Sequence, residues 1–314
     1  MKMNVFYRFL YRHKLMEIPA VLHVKGKYPN LTYSYSYSFQ TRVSATISFI
    51  KNAFNKYEDL LRDKELDFYF YTDDKVSDAD YRRCLLKSNK MFAYSGILSE
   101  YPNIIPVPDF IYDSWPEVGI DSWEDTIEKC LKAGEAPWRD SRCFWIGNVT
   151  THPTRQILVE LGEKFPKYIC APTMRWKDSR TGKKLNSDKF VSLEDHTQYK
   201  YLIDVQGNGY SGRLKILLHM HRVVFIADRK PKDWFFPYLK DMENCVFVRE
   251  DMSDLVDKIK LLENNDTLYH KIVAGCDSLV STYLSKNYAE KYLVDSILSY
   301  GLDGNTGDTS RGRK

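Results

Sequence analysis

The sequence predicts an α/β chain of two successive doubly wound sheets with a cleft between them. Three observations predict it. A helical-period segment at 41–62 runs into a short apolar strand at 66–72. A second, longer alternation of strands and helices starts near Trp138. The length of 314 residues matches about two domains at roughly 150 residues each.

In the first half, Val43, Ile47, Ile50, Phe54, Leu60 and Leu61 recur at helical spacing, with Lys51, Lys56, Glu58 and Asp59 between them. The run LDFYFYT at 66–72 is a buried-type strand, and helix followed by strand is the rhythm of a parallel sheet. Ser77-Asp78-Ala79-Asp80 has the form of a capping box opening a short helix that runs to Leu86. The segment 101–123 holds Pro102, Pro106, Pro108 and Pro116, so it is expected to be irregular and to line a site. Trp115, Trp123 and Trp138 cluster around it.

In the second half, strands are expected at 143–147, 168–171, 199–205, 223–227 and 245–248. Helices are expected at 154–165, 214–220 and through most of 253–300, with a charged, glycine-bearing loop at 175–188. The tail 301–314, rich in Gly, Asp, Asn and Thr, reads as disordered.

Composition narrows the function. Hydrophobic content of 43% and charged content of 28% are those of an ordinary globular protein. The net charge of +4 comes from 46 basic and 42 acidic residues without a basic stripe, which argues against nucleic acid. Tyr and Phe number 23 and 16, and such rings fill cores more often than they face sugars. Six scattered cysteines with no C-x-x-C argue against a zinc site and against a disulfide framework. The opening 1–18 is interrupted by Arg8, Arg12, His13 and Lys14, so no signal peptide or transmembrane span is read and a cytoplasmic protein is expected. The basic-aromatic run FYRFLYRHKL leaves room for a weak membrane-surface contact.

The most informative stretch is YKYLIDVQGNGYSGRLK at 199–215. A strand, a turn with Gly207 and Gly209, and a helix start make a place for an anion, because the first helical N–H groups lack partners. Arg213 and Lys215 add charge, and Arg213 can grip a phosphate with two parallel bonds. The plainer alternative is a solvated basic turn. The glycine spacing does not make the dinucleotide fingerprint.

Tyr199-Lys200-Tyr201-Leu202 followed by Gly207, Ser211, Arg213 and Lys215 resembles the "YKY-L, then G-x-x-x-S-x-R-x-K" pattern of glycosyltransferase family 90. That group contains protein O-glucosyltransferases, fungal capsule xylosyltransferases and lipopolysaccharide-modifying homologues. Asp233-Trp234-Phe235-Phe236-Pro237-Tyr238-Leu239 and Asp251-Met252-Ser253-Asp254-Leu255 resemble its later motifs. Phe144-Trp145-Ile146-Gly147 with Thr150, Thr151 and Arg155 resembles its F-R-G-S-x-T-x-x-R element. The similarity extends from about Leu66 to about Leu284. Two positions depart from the pattern: Ile146 stands where the family has arginine, and Gly212 where it usually has an aromatic.

The resemblance implies a GT-B-like arrangement, two Rossmann-type domains facing a central cleft. An acceptor-side domain 1–138, joined by the C-terminal helix 283–300, would precede a nucleotide-sugar-binding domain 139–282. It implies an inverting, metal-independent transferase that moves xylose or glucose from a UDP-sugar to a glycan or protein hydroxyl, with no cofactor. The base is placed on Asp74, with Asp73 as fallback and Asp109, Asp113 and Glu117 behind them. A carboxylate at the carboxyl end of a strand is placed to take a proton from a hydroxyl. Gly147, Thr150, Arg155, Gly207, Ser211, Arg213 and Lys215 would meet the donor and its diphosphate, and Asp109, Trp115 and Trp123 would lie on the acceptor and sugar side. Two rivals stand beside this. Asp78-Ala79-Asp80 could be the D-x-D of a manganese-dependent GT-A enzyme, although the capping box already accounts for it. The chain could also be a non-catalytic carbohydrate- or nucleotide-binding protein, an idea to which Ile146 gives some footing. UDP release with and without an acceptor separates binding from catalysis.

Overall fold

The structure, a computed structural model, describes residues 20–36, 40–85, 88–174 and 190–300. The basic-aromatic opening, Leu86, the charged loop 175–188 and the tail 301–314 lie outside the described residues. The chain divides into two compact α/β units, Met1–Phe110 with Glu290–Lys314, and Ile111–Ala289.

The first unit carries β1 (Val21–Lys27), β2 (Asn30–Tyr35), α1 (Gln40–Lys56), α2 (Glu58–Leu61), β3 (Glu65–Tyr71), α3 (Asp78–Leu85), β4 (Met91–Ala93) and β5 (Ile104–Pro106). Its sheet runs in the order β2-β1-β3-β4-β5. The β3-β4-β5 part is parallel, whereas β1 pairs antiparallel with both β2 and β3. This hairpin edge is absent from the sequence expectation, because VLHVKGK and NLTYSY are short, polar-interrupted runs. The pairing of Val21 with Tyr71, of Leu22 with Phe70 and of Val24 with Phe68 gives β1 its buried residues. The helix expected at 41–62 breaks at Tyr57 into α1 and α2, and α1 buries Val43, Thr46, Phe49, Ile50, Ala53 and Phe54.

The second unit carries α4 (Trp123–Gly134), β6 (Asp140–Phe144), α5 (Pro153–Lys164), β7 (Ile169–Cys170), β8 (Tyr199–Asp204), α6 (Leu214–Leu217), β9 (Val223–Ala227), β10 (Val246–Val248), α7 (Leu255–Glu263) and α8 (Asp266–Tyr283). The last helix, α9 (Lys286–Tyr300), starts here and belongs to the first unit from Glu290 onward. All five strands are parallel, in the order β10-β9-β8-β6-β7. Every residue of β9, VVFIA, is buried, as expected of a strand covered on both faces. From β6 the chain goes first to β7 on one side and then to β8 on the other. The topological switch point therefore lies between β6 and β8.

The contacts put the change of unit at Phe110, well before the 138 expected from sequence. The reason is α4, which the sequence reading passed over. Ser122 caps it by accepting from the Asp125 N–H at 3.2 Å, and its buried stripe of Trp123, Ile127, Cys130 and Gly134 has helical spacing. Arg222, just before β9, donates to Gly134 O at 2.8 Å and Ala136 O at 2.7 Å. The same guanidinium donates to Thr197 O at 2.7 Å, so it ties the end of α4 to the segment entering β8. Among the described residues no helix is long and apolar enough to cross a membrane.

Candidate active site

In the first unit an acidic cluster sits where β3 ends. Thr72 pins that strand end by donating its N–H to Ala20 O at 2.7 Å and its hydroxyl to the same oxygen at 3.0 Å. The chain then turns through Asp73 and Asp74. Asp73 Oδ1 accepts the Asp74 N–H at 2.7 Å, which occupies Asp73 in the turn itself. Asp74 instead turns toward α1, where Arg42 Nη1 donates to its Oδ1 at 2.7 Å. Burial pushes the Asp74 carboxyl above the usual carboxylate range. Arg42 opposes that shift, and Asp73 and Asp109 add to it. Asp109 is buried at 4% exposure. Arg42, which the sequence reading did not single out, also lies 5.5 Å over the Phe110 ring. Its signal was faint, one arginine on the first turn of an amphipathic helix.

The D-x-D tripeptide is occupied. Ser77 Oγ donates to Asp80 Oδ2 at 2.7 Å and accepts the Asp80 N–H at 3.1 Å, as a capping arrangement requires. Asp80 also accepts from Tyr71 and Arg83, and Asp78 accepts from the Tyr101 hydroxyl.

In the second unit a basic cluster sits at the carboxyl ends of β6 and β8. Arg155, in the first turn of α5, donates through Nε to Gln206 O at 2.9 Å and through Nη1 to Asn148 O at 3.0 Å. One guanidinium therefore joins the loop after β8 to the loop after β6, across the switch point. Arg155 also lies 5.6 Å from the Trp145 ring. At Gly207 a Cβ would crowd Tyr210 O at 3.1 Å and reach ordinary contact with Arg155 Nη2 at 3.5 Å. Arg213 reaches the same place from the other side, with Nη1 donating to Ile146 O at 2.8 Å. Burial disfavours the charge of Arg213, and Asp204 supports it. Two further buried polar atoms beside these loops, Trp145 Nε1 and Gln206 Oε1, have no hydrogen-bond partner among the described residues. A desolvated guanidinium and unsatisfied polar atoms at a switch point are what an anionic, hydrogen-bonding ligand would complete.

Other predicted residues have structural partners. Ser211 Oγ donates to Asp204 Oδ1 at 2.5 Å, and Arg229 Nη1 donates to the other carboxylate oxygen at 2.5 Å. Lys215, 2% exposed, curls back to donate to Gly212 O at 2.9 Å. Thr150 closes a turn on Asn148 Oδ1, at 3.0 Å from its N–H and 2.9 Å from its hydroxyl. Gly147 heads the loop after β6 and forms a parallel bridge with Thr173. The helix expected at 214–220 is only Leu214–Leu217 as α-helix, too short for a strong dipole, so side-chain cations carry the positive charge here. Trp123 is 2% exposed and packs on Tyr112 and His219, a core ring rather than an open sugar platform. Trp115 is half-buried against Gly212: a Cβ at 212 would meet Ile111 Cδ1 at 2.5 Å and the Trp115 ring at 3.4 Å. Ile111 and Trp115 thus fill the space into which an aromatic at 212 would project.

A groove of about 800 Å³, lined among others by Ile127, Leu131, His221 and Asp277, opens elsewhere in the second unit and involves neither arginine.

Comparison with known proteins gives a family. The profile of Glycosyl transferase family 90 matches residues 24–302. Protein O-glucosyltransferase 1 of Rattus norvegicus is 27% identical over 230 residues, which is 68% of this chain and 58% of that protein. The Homo sapiens protein of the same name is 27% identical over 222 residues, 67% of this chain and 56% of its own. The chain therefore spans somewhat over half the length of these curated relatives. Among solved structures, Anabaena Alr3699/HepE in complex with UDP and glucose aligns with TM-score 0.45 and 9% identity over 71% of this chain and 68% of that one. A glycosyltransferase from Rickettsia africae ESF-5 aligns with TM-score 0.42 and 11% identity over 96% and 89%.

Proposed function

Because the chain belongs to glycosyl transferase family 90, we propose that it moves a sugar from a UDP-sugar to an acceptor hydroxyl with inversion and without a metal. The observation that carries this proposal is the Arg155 bridge between the loops after β6 and β8, with Arg213 on the same turn. Two guanidinium forks at a switch point suit a diphosphate, whose charge grows as it leaves. Relatives named O-glucosyltransferases make UDP-glucose the first donor to try and a protein hydroxyl the first acceptor, with UDP-xylose and a glycan next.

In this scheme Arg155 and Arg213 meet the donor diphosphate and Asp74 is the base. Asp74 takes the proton of the acceptor hydroxyl, and the oxygen attacks the anomeric carbon. The bond from that carbon to the diphosphate oxygen breaks, the electron pair leaves with UDP, and the configuration inverts. Asp74 suits the task because burial makes it a stronger base than an exposed aspartate.

A UDP-sugar panel read by thermal shift, followed by UDP release with and without acceptor, tests the proposal. A matching donor binds only the folded state and raises the melting temperature. Acceptor-stimulated UDP release is the expected result. Donor binding with no release under any acceptor would favour a binding protein.

A further inference from the structure

The first unit contains a cluster of charges that the proposed reaction uses only in part. Arg42 projects from the first turn of α1 and ion-pairs with Asp74 at 2.7 Å, its side chain 14% exposed and that of Asp74 26%. Its guanidinium also lies over Phe110 at 5.5 Å, which confines it on a second side. Asp109, next to Phe110 in sequence, is buried. The hydroxyl of Tyr94, after β4, meets that of Thr46 on α1 at 2.7 Å, one turn along from Arg42.

We infer that Arg42 is a positioning residue for transfer: held between Asp74 and the Phe110 ring, it aims the Asp74 carboxylate and favours its ionised form. This rests on the assignment of Asp74 as base. The groups that act electrostatically on Asp74 are Arg42 from α1, Asp73 from its own turn, Asp109 from the segment before Phe110, and Tyr94. Burial holds the Tyr94 phenol far above its usual range, so it stays neutral and does not compete as a charge. Arg42 and Asp109 are then opposing controls. Removing the cation makes Asp74 harder to ionise, and removing the second carboxylate makes it easier. A base buried enough to be strong would be protonated too readily without such a partner, and one paired too tightly would lose its basicity.

The test is the pH dependence of kcat/KM in the full chain for wild type, Arg42→Gln, Arg42→Lys and Asp109→Asn, each checked for native melting behaviour. The rate rises with pH as Asp74 ionises. The acid limb should move up by about 1–3 pH units in Arg42→Gln, the usual effect of losing an adjacent opposite charge. It should move down in Asp109→Asn and stay near wild type in Arg42→Lys, with UDP affinity unchanged in all three. If Arg42→Gln does not fold, the downward shift in Asp109→Asn and the near-normal limb in Arg42→Lys carry the test. An unmoved limb with a lower plateau would make Arg42 a merely structural residue, and a weakened UDP affinity would make it a donor contact; either overturns the inference. Carbon-13 NMR titration of the Asp74 carboxyl in wild type and Arg42→Lys or Asp109→Asn reads the same shifts without activity. If Asp74→Asn transfers normally, the base assignment fails, and the NMR titration still decides whether Arg42 and Asp109 control that carboxyl.

Discussion

Arg213 and Arg155 make the same kind of contact, a guanidinium on a loop carbonyl. Both stand in motifs that the resemblance names, Arg213 in S-x-R-x-K and Arg155 in the element that begins at Phe144, and the structure adds that Arg155 joins Asn148 and Gln206. Ser211 and Lys215 have a different outcome. The sequence places them in the motif, and the structure gives them to Asp204 and to Gly212 O. Spacing along a turn says which residues are close to a ligand, but not which of them the loop spends on its own carbonyls and carboxylates. Arg213→Ala should weaken UDP binding by roughly 1.5–3 kcal/mol, the worth of a hydrogen bond to a charged group. Arg213→Lys should recover little, because a point charge does not replace a fork. Calorimetry on both variants measures this, and an unchanged affinity would remove Arg213 from the donor site.

At the scale of elements, the parallel strands of the second unit were legible because each is a short apolar run between turn residues. The hairpin of β1 and β2 and the helix α4 were not. The first depends on long-range pairing with β3, and the second was masked by the prolines before it. Arg222 shows what ties α4 in place. Its guanidinium satisfies Gly134 O, Ala136 O, Thr197 O, Tyr199 O and His221 O. Arg222→Met would leave several of these carbonyls unpaired, so denaturant unfolding should report a loss of about 3 kcal/mol or more. Two histidines add a pH dependence. Burial pulls His196 down to about 3 and His219 to about 4, from an ordinary value of 6.5. Both are neutral when folded and readily protonated when unfolded, so their contribution is full above pH 6.5 and is lost as pH falls through 4 and 3. The unfolding free energy should therefore decline on acidification from pH 6.5, and His219→Phe should flatten that slope.

At the scale of the whole molecule, the first unit carries a carboxylate at the end of β3 and the second carries guanidinium groups at the ends of β6 and β8. The α/β class was readable from helix-strand rhythm. The exact boundary at Phe110 was not, because it depends on where α4 finds its partners. Since the proposed neutralisation of the diphosphate uses arginines, transfer should survive EDTA largely intact, with weak stimulation by manganese. Complete loss with EDTA, restored by manganese, would point back to Asp78 and Asp80. The most direct test of the central claim is the transfer rate of Asp74→Asn at saturating UDP-sugar, measured together with its donor affinity. The substitution keeps size and removes the proton acceptor, so turnover should fall by about 10²–10⁴-fold while donor affinity stays near wild type. Near-normal transfer by Asp74→Asn would contradict the assignment of the base to the end of β3.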